Sequence, residues 1–276
     1  MQHIYLIRHG QASFGAENYD KLSHLGKRQA GVIGNYFAQQ NIAIERIIHG
    51  KMSRQQETAE IIAEKAGFKK SLILHEGANE FDSENLIKYY LPLLAKQSEE
   101  LDKIMQSGEH WWATGENFEL FFRALVTLWQ QDSHCPFESW LDFKDRCIDC
   151  LTDIAQMNET GKKEKGITLL ATSGGLISVT MQSILSSNKS PFNDQAFMDM
   201  NLTINNTSIS EVVWQANRSV DSINSVDDSI NSADDSNNSA DDSNNKPILK
   251  NRNRLLSFNN ITPLQLAQKP ELITRK

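Results

Sequence analysis

The sequence holds few of the residues that staple or anchor a chain. Three cysteines in 276 residues do not make a disulfide framework, so a reducing, cytoplasmic setting is expected. No stretch approaches the roughly 18 consecutive apolar residues of a membrane span. The opening Met1-Gln2-His3-Ile4-Tyr5-Leu6-Ile7 shows neither a basic n-region nor a small-residue cleavage site, so no signal peptide is expected. Positive charge is in deficit as well: 28 Lys and Arg face 35 Asp and Glu, a formal net charge of −7. A nucleic-acid binder would carry a basic excess or stripe. A protein held on anionic lipid by charge would too. Neither partner is expected.

The deficit is local. Between Ser219 and Asn245 lie seven Asp and no Lys or Arg, and the remaining 28 acids balance the 28 bases. That segment is a tandem heptad: Asp221-Ser-Ile-Asn-Ser-Val-Asp227 is followed by Asp228-Ser-Ile-Asn-Ser-Ala-Asp234 and Asp235-Ser-Asn-Asn-Ser-Ala-Asp241. Seven is also the coiled-coil period, but the third copy offers only Ala240 as an apolar residue. Ser, Asn and Asp compete with the helical backbone for hydrogen bonds. The composition cannot bury enough apolar surface to order itself. Residues 219–245 are therefore expected to be a disordered acidic loop joining two hairpin strands. The sheet tolerates such a loop because closure entropy grows only logarithmically with length.

Outside the repeat, strand-like apolar runs occur at 3–7, 45–49, 71–75, 167–172, 207–214 and 254–258. Ser23 is placed to cap a helix whose apolar face carries Leu25, Val32, Ile33, Tyr36 and Phe37. Further helices are expected over Ser53–Ala66 and from about Gly175. Strand and helix in alternation imply parallel strands with crossover helices. Residues 84–160 differ: Leu86–Lys103, Glu116–Gln131 and Glu138–Met157 all read as helical with no strand between them. The expected class is α/β, a three-layer α/β/α sandwich with a mostly parallel sheet. The whole chain, 1–276, is expected to form one domain, with a helical cap inserted at about 84–160 near the carboxyl ends of the strands. Trp129 and Trp140 of the insertion, and Trp111-Trp112, are read mainly as packing residues.

Cys147 and Cys150 form a lone CxxC. Phe143, Cys147, Cys150, Leu151 and Ile154 recur at helical spacing, which puts both thiols on an apolar helix face, and no second pair completes a zinc site. Neither metal nor cofactor is expected.

The chemistry lies at the end of the first strand, Ile7-Arg8-His9-Gly10-Gln11. Gly lets backbone approach a ligand, an Arg fork matches phosphate oxygens, and His can act as a nucleophile. This stretch resembles the opening of the histidine phosphatase superfamily, the phosphoglycerate mutase-like family. That family continues with Leu-Ser…Gly…Gln-Ala, here Leu22-Ser23-His24-Leu25-Gly26-Lys27-Arg28-Gln29-Ala30. It then has a helix start Ser…Arg-Ala…Gln-Thr-Ala, here the looser Gly50-Lys51-Met52-Ser53-Arg54-Gln55-Gln56-Glu57-Thr58-Ala59, with Arg and Thr-Ala in register. A Glu follows the third strand, matched by Asn79-Glu80-Phe81-Asp82. A late strand with a Gly-Gly turn is matched by Leu169-Leu-Ala-Thr-Ser173-Gly174-Gly175. The ordered set spans residues 3–260 apart from the repeat.

The resemblance implies that His9 is a nucleophile forming a phosphohistidine and that Arg8 and Arg54 hold the phosphoryl oxygens. It implies that Glu80 protonates the leaving alcohol and then activates water; Glu76 and Glu84 are neighbouring acids. Ser173 and Gly174 would line the phosphate site, where the family usually has a second His in place of Ser173. No His lies beyond His134; His49 and His75, which end strands, are read as structural. The expected function is a phosphomonoester phosphatase with a small phosphorylated substrate. Loss of the second His raises the alternative of a weakly active or non-catalytic phosphate-binding member. A phosphoglycerate mutase is disfavoured by the acidic Phe81-Asp82-Ser83-Glu84 after Glu80. Oligomeric state is not fixed by any of these features.

Overall fold

Strand β1 (Gln2–Arg8) and strand β4 (Ile167–Thr172) lie side by side and parallel at the centre of a six-stranded sheet. The computed structural model describes residues 1–13, 20–106, 114–157, 166–186, 194–215 and 253–275. β2 (Ile44–His49), β3 (Ile73–Leu74), β5 (Ile209–Trp214) and β6 (Arg254–Asn260) complete the order β3-β2-β4-β1-β5-β6. β5 runs antiparallel to both β1 and β6, so every strand except β5 points the same way. The pairing of β5 with β6 is the hairpin expected to flank the acidic repeat; residues 219–245 themselves lie outside the described residues.

Alternation along the central strands builds the two cores. Ile4 and Leu6 of β1, Ile48 of β2 and Leu170 of β4 belong to one cluster; Ile7, Ile47, Leu169 and Ala171 belong to the other. Strands buried on both faces read as near-continuous apolar runs, which is why these segments were legible. On one face lie α1 (His24–Gln39), α2 (Ser53–Ala66) and α9 (Thr262–Leu266). Ser23 does cap α1, its side chain accepting from the Gly26 N–H at 3.0 Å. Gly67, with φ +71°, closes α2 in the left-handed conformation that glycine adopts without strain.

The other face carries α3 (Ser83–Gln97), α4 (Glu99–Gln106), α5 (Gly115–Gln131), α6 (Trp140–Gln156), α7 (Gly174–Leu185) and α8 (Asp194–Thr203). The single helix expected over 86–103 is two, broken at Ser98, whose backbone is extended at φ −137° and ψ 120°. The Ser98 hydroxyl accepts from the Leu101 N–H at 3.4 Å, the local competition that makes serine a cap rather than a helix interior residue. The 71–75 run also shortens, to the two residues of β3, because a one-turn 3-10 helix at Glu76–Ala78 follows at once. Trp129 packs against Phe81, Trp140 and Phe143 with ring centroids 5.0, 5.1 and 5.5 Å away. Cys147 and Cys150 are buried in the same core, and burial pushes both thiols up, Cys150 to about 12. Among the described residues, no helix is long and apolar enough to cross a membrane.

Candidate active site

The carboxyl ends of β1, β4 and β2 meet at one edge of the sheet. Arg8 pairs with Thr172 and His49 with Ala171, so the residues that follow, His9, Ser173 and Gly50, emerge together. Such an edge is where open α/β sheets hold ligands. The loop after β1 is drawn tightly onto α1: a Cβ at Gly10 would strike the Gly26 carbonyl, and one at Gly26 would strike the Gln11 carbonyl. These glycines are required by close backbone approach, not by a positive φ.

His9 is 6% exposed. Its Nδ1 lies 2.7 Å from the Gly10 carbonyl oxygen, which can only accept. The proton therefore sits on Nδ1 and leaves a lone pair on Nε2. Arg54 Nε donates to that Nε2 at 3.1 Å. Burial and the guanidiniums of Arg54 and Arg8 hold the His9 ring well below the usual imidazole range, so it is neutral near pH 7. From below, Asn206 Nδ2 donates to the His9 carbonyl at 3.2 Å, and the His9 N–H donates to the Thr172 carbonyl at 2.8 Å.

Arg54 opens α2 and is 7% exposed. Asp20 holds the start of α2 at two points: Oδ1 accepts from Arg54 Nη1 at 2.6 Å, and Oδ2 accepts from the Ser53 N–H at 2.7 Å. Thr58 then ties α2 to the β1 loop, donating to the Arg54 carbonyl at 2.7 Å and accepting from the Gly10 N–H at 3.0 Å. Arg8 donates through Nη1 to the Ile204 carbonyl, and to the Arg275 carbonyl at 2.9 Å.

Glu80 arrives from the opposite face. Its Oε2 accepts from the Gly175 N–H at 3.0 Å and its Oε1 from the Phe81 N–H at 3.3 Å. A Cβ at Gly175 would strike the Glu80 carboxylate, so glycine there makes room for it. Burial pushes the Glu80 carboxyl up, against the opposing pull of the Gly175 N–H, Arg54, the Phe81 N–H and Arg8. Its two neighbours are placed differently: Glu76 is exposed in the 3-10 turn, and Glu84 pairs with Lys88 at 2.6 Å on the outside of α3.

Ser173 is fully buried at the start of α7, and its hydroxyl accepts from Gln55 Nε2 at 2.8 Å. His49 and His75 have local roles. His49 Nδ1 bonds the Gly50 carbonyl at 2.7 Å, and His75 Nδ1 accepts from the Gly77 N–H at 3.2 Å, capping the 3-10 turn.

The model of the histidine phosphatase superfamily, branch 1, matches residues 4–225. The chain belongs to this superfamily. A mutase and several phosphatases are among the solved structures it is similar to. One is a phosphoglycerate mutase from Bacillus anthracis, 18% identical, covering 78% of this chain and 88% of that one, with a TM-score of 0.48. Another is a mycobacterial glucosyl-3-phosphoglycerate phosphatase, 17% identical, covering 77% and 91%, TM-score 0.48. A third is a phosphoserine phosphatase from Entamoeba histolytica in complex with phosphoserine, 18% identical, covering 78% and 92%, TM-score 0.43. A search of curated proteins finds no match.

Within this chain, sequence reasoning did not single out Asp20, Gln55, Asn206 or Arg146. Arg146 of α6 donates to the Gly77 and Asn79 carbonyls at 3.0 and 2.9 Å while Glu138 holds its other edge at 2.5 and 2.8 Å. It thereby fixes the turn that presents Glu80. No motif could have marked it, because its partners are backbone atoms 67 and 69 residues away.

Proposed function

We propose that this protein is a phosphomonoester phosphatase that works through a phosphohistidine on His9. The observation that carries the reading is the state of His9: buried, neutral, protonated at Nδ1 by its bond to Gly10, with Nε2 facing Arg54. A buried imidazole between two guanidiniums is a poor cation and an available lone pair. The same guanidiniums suit the charge that develops on a transferring phosphoryl group.

In the first half-reaction, His9 Nε2 attacks phosphorus and the bond to the ester oxygen breaks. The Glu80 proton passes to that oxygen, releasing the alcohol. In the second, the Glu80 carboxylate takes a proton from water, whose oxygen attacks phosphorus and breaks the N–P bond. Phosphate leaves, and His9 and Glu80 return to their starting states. A raised carboxyl pKa suits the first step, and a carboxylate freed by that step suits the second. Arg8 joins Arg54 in holding the phosphoryl oxygens, and Ser173 and the Gly174 N–H at the start of α7 complete the cradle. The chain acts as one domain, with the helices between β3 and β4 forming a cap that selects the alcohol part of a small phosphorylated substrate.

The test is phosphate release from a panel of small phosphomonoesters by the wild type and His9→Ala. Turnover with an acid-labile phosphoenzyme is expected in the wild type alone. No turnover and no phosphoenzyme in the wild type would sink the phosphatase reading; turnover that survives His9→Ala would sink the mechanism.

A further inference from the structure

Gln55 sits one residue after Arg54, is fully buried, and was assigned no part in the chemistry above. Its amide is held by two bonds. Nε2 donates to the Ala78 carbonyl at 3.1 Å and to the Ser173 hydroxyl at 2.8 Å. Turning the amide over would set an acceptor against the Ala78 carbonyl, so its orientation is fixed. Ala78 is itself fixed, its carbonyl also accepting from Thr172 Oγ1 at 2.7 Å. Gln55 Oε1 is left buried with no hydrogen-bond partner among the described residues, in the space that a Cβ on Gly50 would take. An orphaned buried acceptor is costly. An apolar side chain of similar size would avoid that cost while filling the same space.

The arrangement has a chemical consequence at Ser173. A hydroxyl has one hydrogen to donate and lone pairs that accept. Gln55 fills a lone pair. The Ser173 side chain makes no capping bond to α7, and its hydrogen has no acceptor among the described residues. Ser173 directly follows Thr172, whose carbonyl takes the His9 N–H at 2.8 Å, so this unspent donor lies beside the candidate nucleophile. Glu57, in place of Gln, departs from the motif on α2 where it pairs with Lys27 at 3.1 Å; Gln55, in place of Ala, and Ser173, in place of His, depart from it inside the site. These last two departures touch.

We propose that Gln55 and Ser173 form one unit in the phosphoryl site. Gln55 is a positioning residue that spends its N–H on the Ser173 hydroxyl, and Ser173 in turn gives its hydrogen to an equatorial oxygen of the transferring phosphoryl group. The pair supplies a neutral, non-titrating donor on the side of the site where the family places a titratable ring. Its benefit falls on the transition state, where charge on those oxygens is spread over a planar group that the fixed donor can meet.

This inference rests on reading His9 and Arg54 as the phosphoryl site, so its test uses a readout that needs the site but not turnover. Affinities for orthovanadate, which takes the five-coordinate shape of the transition state, and for inorganic phosphate are measured on the full-length protein. Ser173→Ala, Gln55→Met and the double variant are compared with wild type. Each single change is expected to weaken vanadate binding about 10-fold while phosphate binding moves less than about 2-fold, and the double variant is expected to be no weaker than the worse single. Losses that multiply in the double variant would overturn the unit, as would vanadate affinity unchanged in Ser173→Ala. Should Gln55→Met not fold, Gln55→Asn takes its place, its amide one methylene too short to reach Ser173. Coupled vanadate loss in a protein with no phosphomonoester turnover would refute the phosphatase reading and uphold the pair. His9-dependent turnover without coupling would do the reverse.

Discussion

Two histidines leave this sheet in the same way and meet different surroundings. His9 directly follows β1 and His49 ends β2, one on each side of β4; each is followed by glycine, and each bonds that glycine's carbonyl through Nδ1 at 2.7 Å. Both are nearly buried, at 6% and 7% exposed. The local conformation is therefore the same device used twice. Beyond it they part. His9 Nε2 faces Arg54 Nε at 3.1 Å, with Glu80 brought in against Gly175 across the edge. His49 has no hydrogen bond to Nε2 among the described residues, and its glycine packs against the Gln55 amide. A strand-end histidine fixed in one tautomer is a common scaffold; guanidinium and carboxyl partners turn it into a candidate nucleophile.

The largest effect should separate the two histidines directly. His9→Ala is expected to lower kcat for phosphomonoester hydrolysis about 1,000-fold or more, with no phosphoenzyme. His49→Ala should stay within about 3-fold of wild type. Equal losses would show that the partners of His9 are not what distinguishes it. Stability against pH sharpens the same contrast. The folded-state pKa of His9 lies below its unfolded value of about 6.5. As pH falls below that value the unfolded chain takes up a proton that the folded chain refuses, so stability declines. His9→Ala should flatten part of that acid-side decline, measured by denaturant unfolding between about pH 6.5 and pH 4.5.

Next in size is the acid partner. Glu80→Gln should slow phosphoenzyme formation about 100-fold for alkyl phosphates and much less for aryl phosphates, whose leaving groups need no proton, while phosphoenzyme breakdown, where Glu80 is the base, slows equally for both. Burial raises the Glu80 carboxyl, so the wild-type profile should lose activity as pH rises through a value above the ordinary carboxylate range. The variant should lack that limb. A limb that persists unchanged in Glu80→Gln would assign the proton to another group.

A third change tests the scaffold instead of the chemistry. Gly26→Ala would drive a methyl group into the Gln11 carbonyl, part of the loop that seats His9. Its cost is expected at about 1–3 kcal/mol of stability, with activity per folded molecule reduced. Gly31→Ala, on the same helix and with nothing near the new methyl, should be neutral or slightly stabilising, since alanine is the better helix former. Parallel thermal melts of the two variants separate close backbone approach from helix propensity.

The contrast between the histidines also marks how far the sequence could be read. Both strand ends were visible, because β1, β2 and β4 are apolar runs closed by His-Gly or Ser-Gly, and Arg8, His9, Arg54, Glu80, Ser173 and Gly174 come together at one edge. Helix count in 84–160 was misjudged at Ser98, where a local hydrogen bond overrides an amphipathic pattern that continues past it. What could not be read were the contacts between distant residues: Asp20 on Arg54, Gln55 on Ser173, Arg146 on the backbone before Glu80. Each depends on packing that brings side chains together across 34, 118 and 67 residues, and no spacing rule along the chain encodes such distances. Arg8 is a similar case. Its bond to the Arg275 carbonyl comes from a tail threaded past β1, where Gln29 Nε2 donates to the Leu272 carbonyl at 2.7 Å.

The smallest effect is expected at the far side of the sheet, in the segment that carries the acidic repeat. Its ends are close together: the Gln215 N–H donates to Asn253 Oδ1 at 2.9 Å, just beyond paired strands β5 and β6. Residues 216–252 thus close a loop whose two ends the sheet already holds. Removing 219–245 shortens it from roughly 37 to roughly 10 residues, and the logarithmic closure law then gives about 1 kcal/mol of added stability. The net charge of −7 would move to zero, since the seven Asp are removed without a single Lys or Arg. Phosphate release should stay within about 2-fold of wild type, because Trp214 at the end of β5 pairs with Gln2 at the start of β1, so the chain leaves β5 at the end of β1 opposite His9. Denaturant unfolding and steady-state kinetics on the deletion variant check both numbers. A loss of stability, or a salt-dependent change in KM for an anionic substrate, would mean that the repeat acts on the folded chain beyond lengthening a turn.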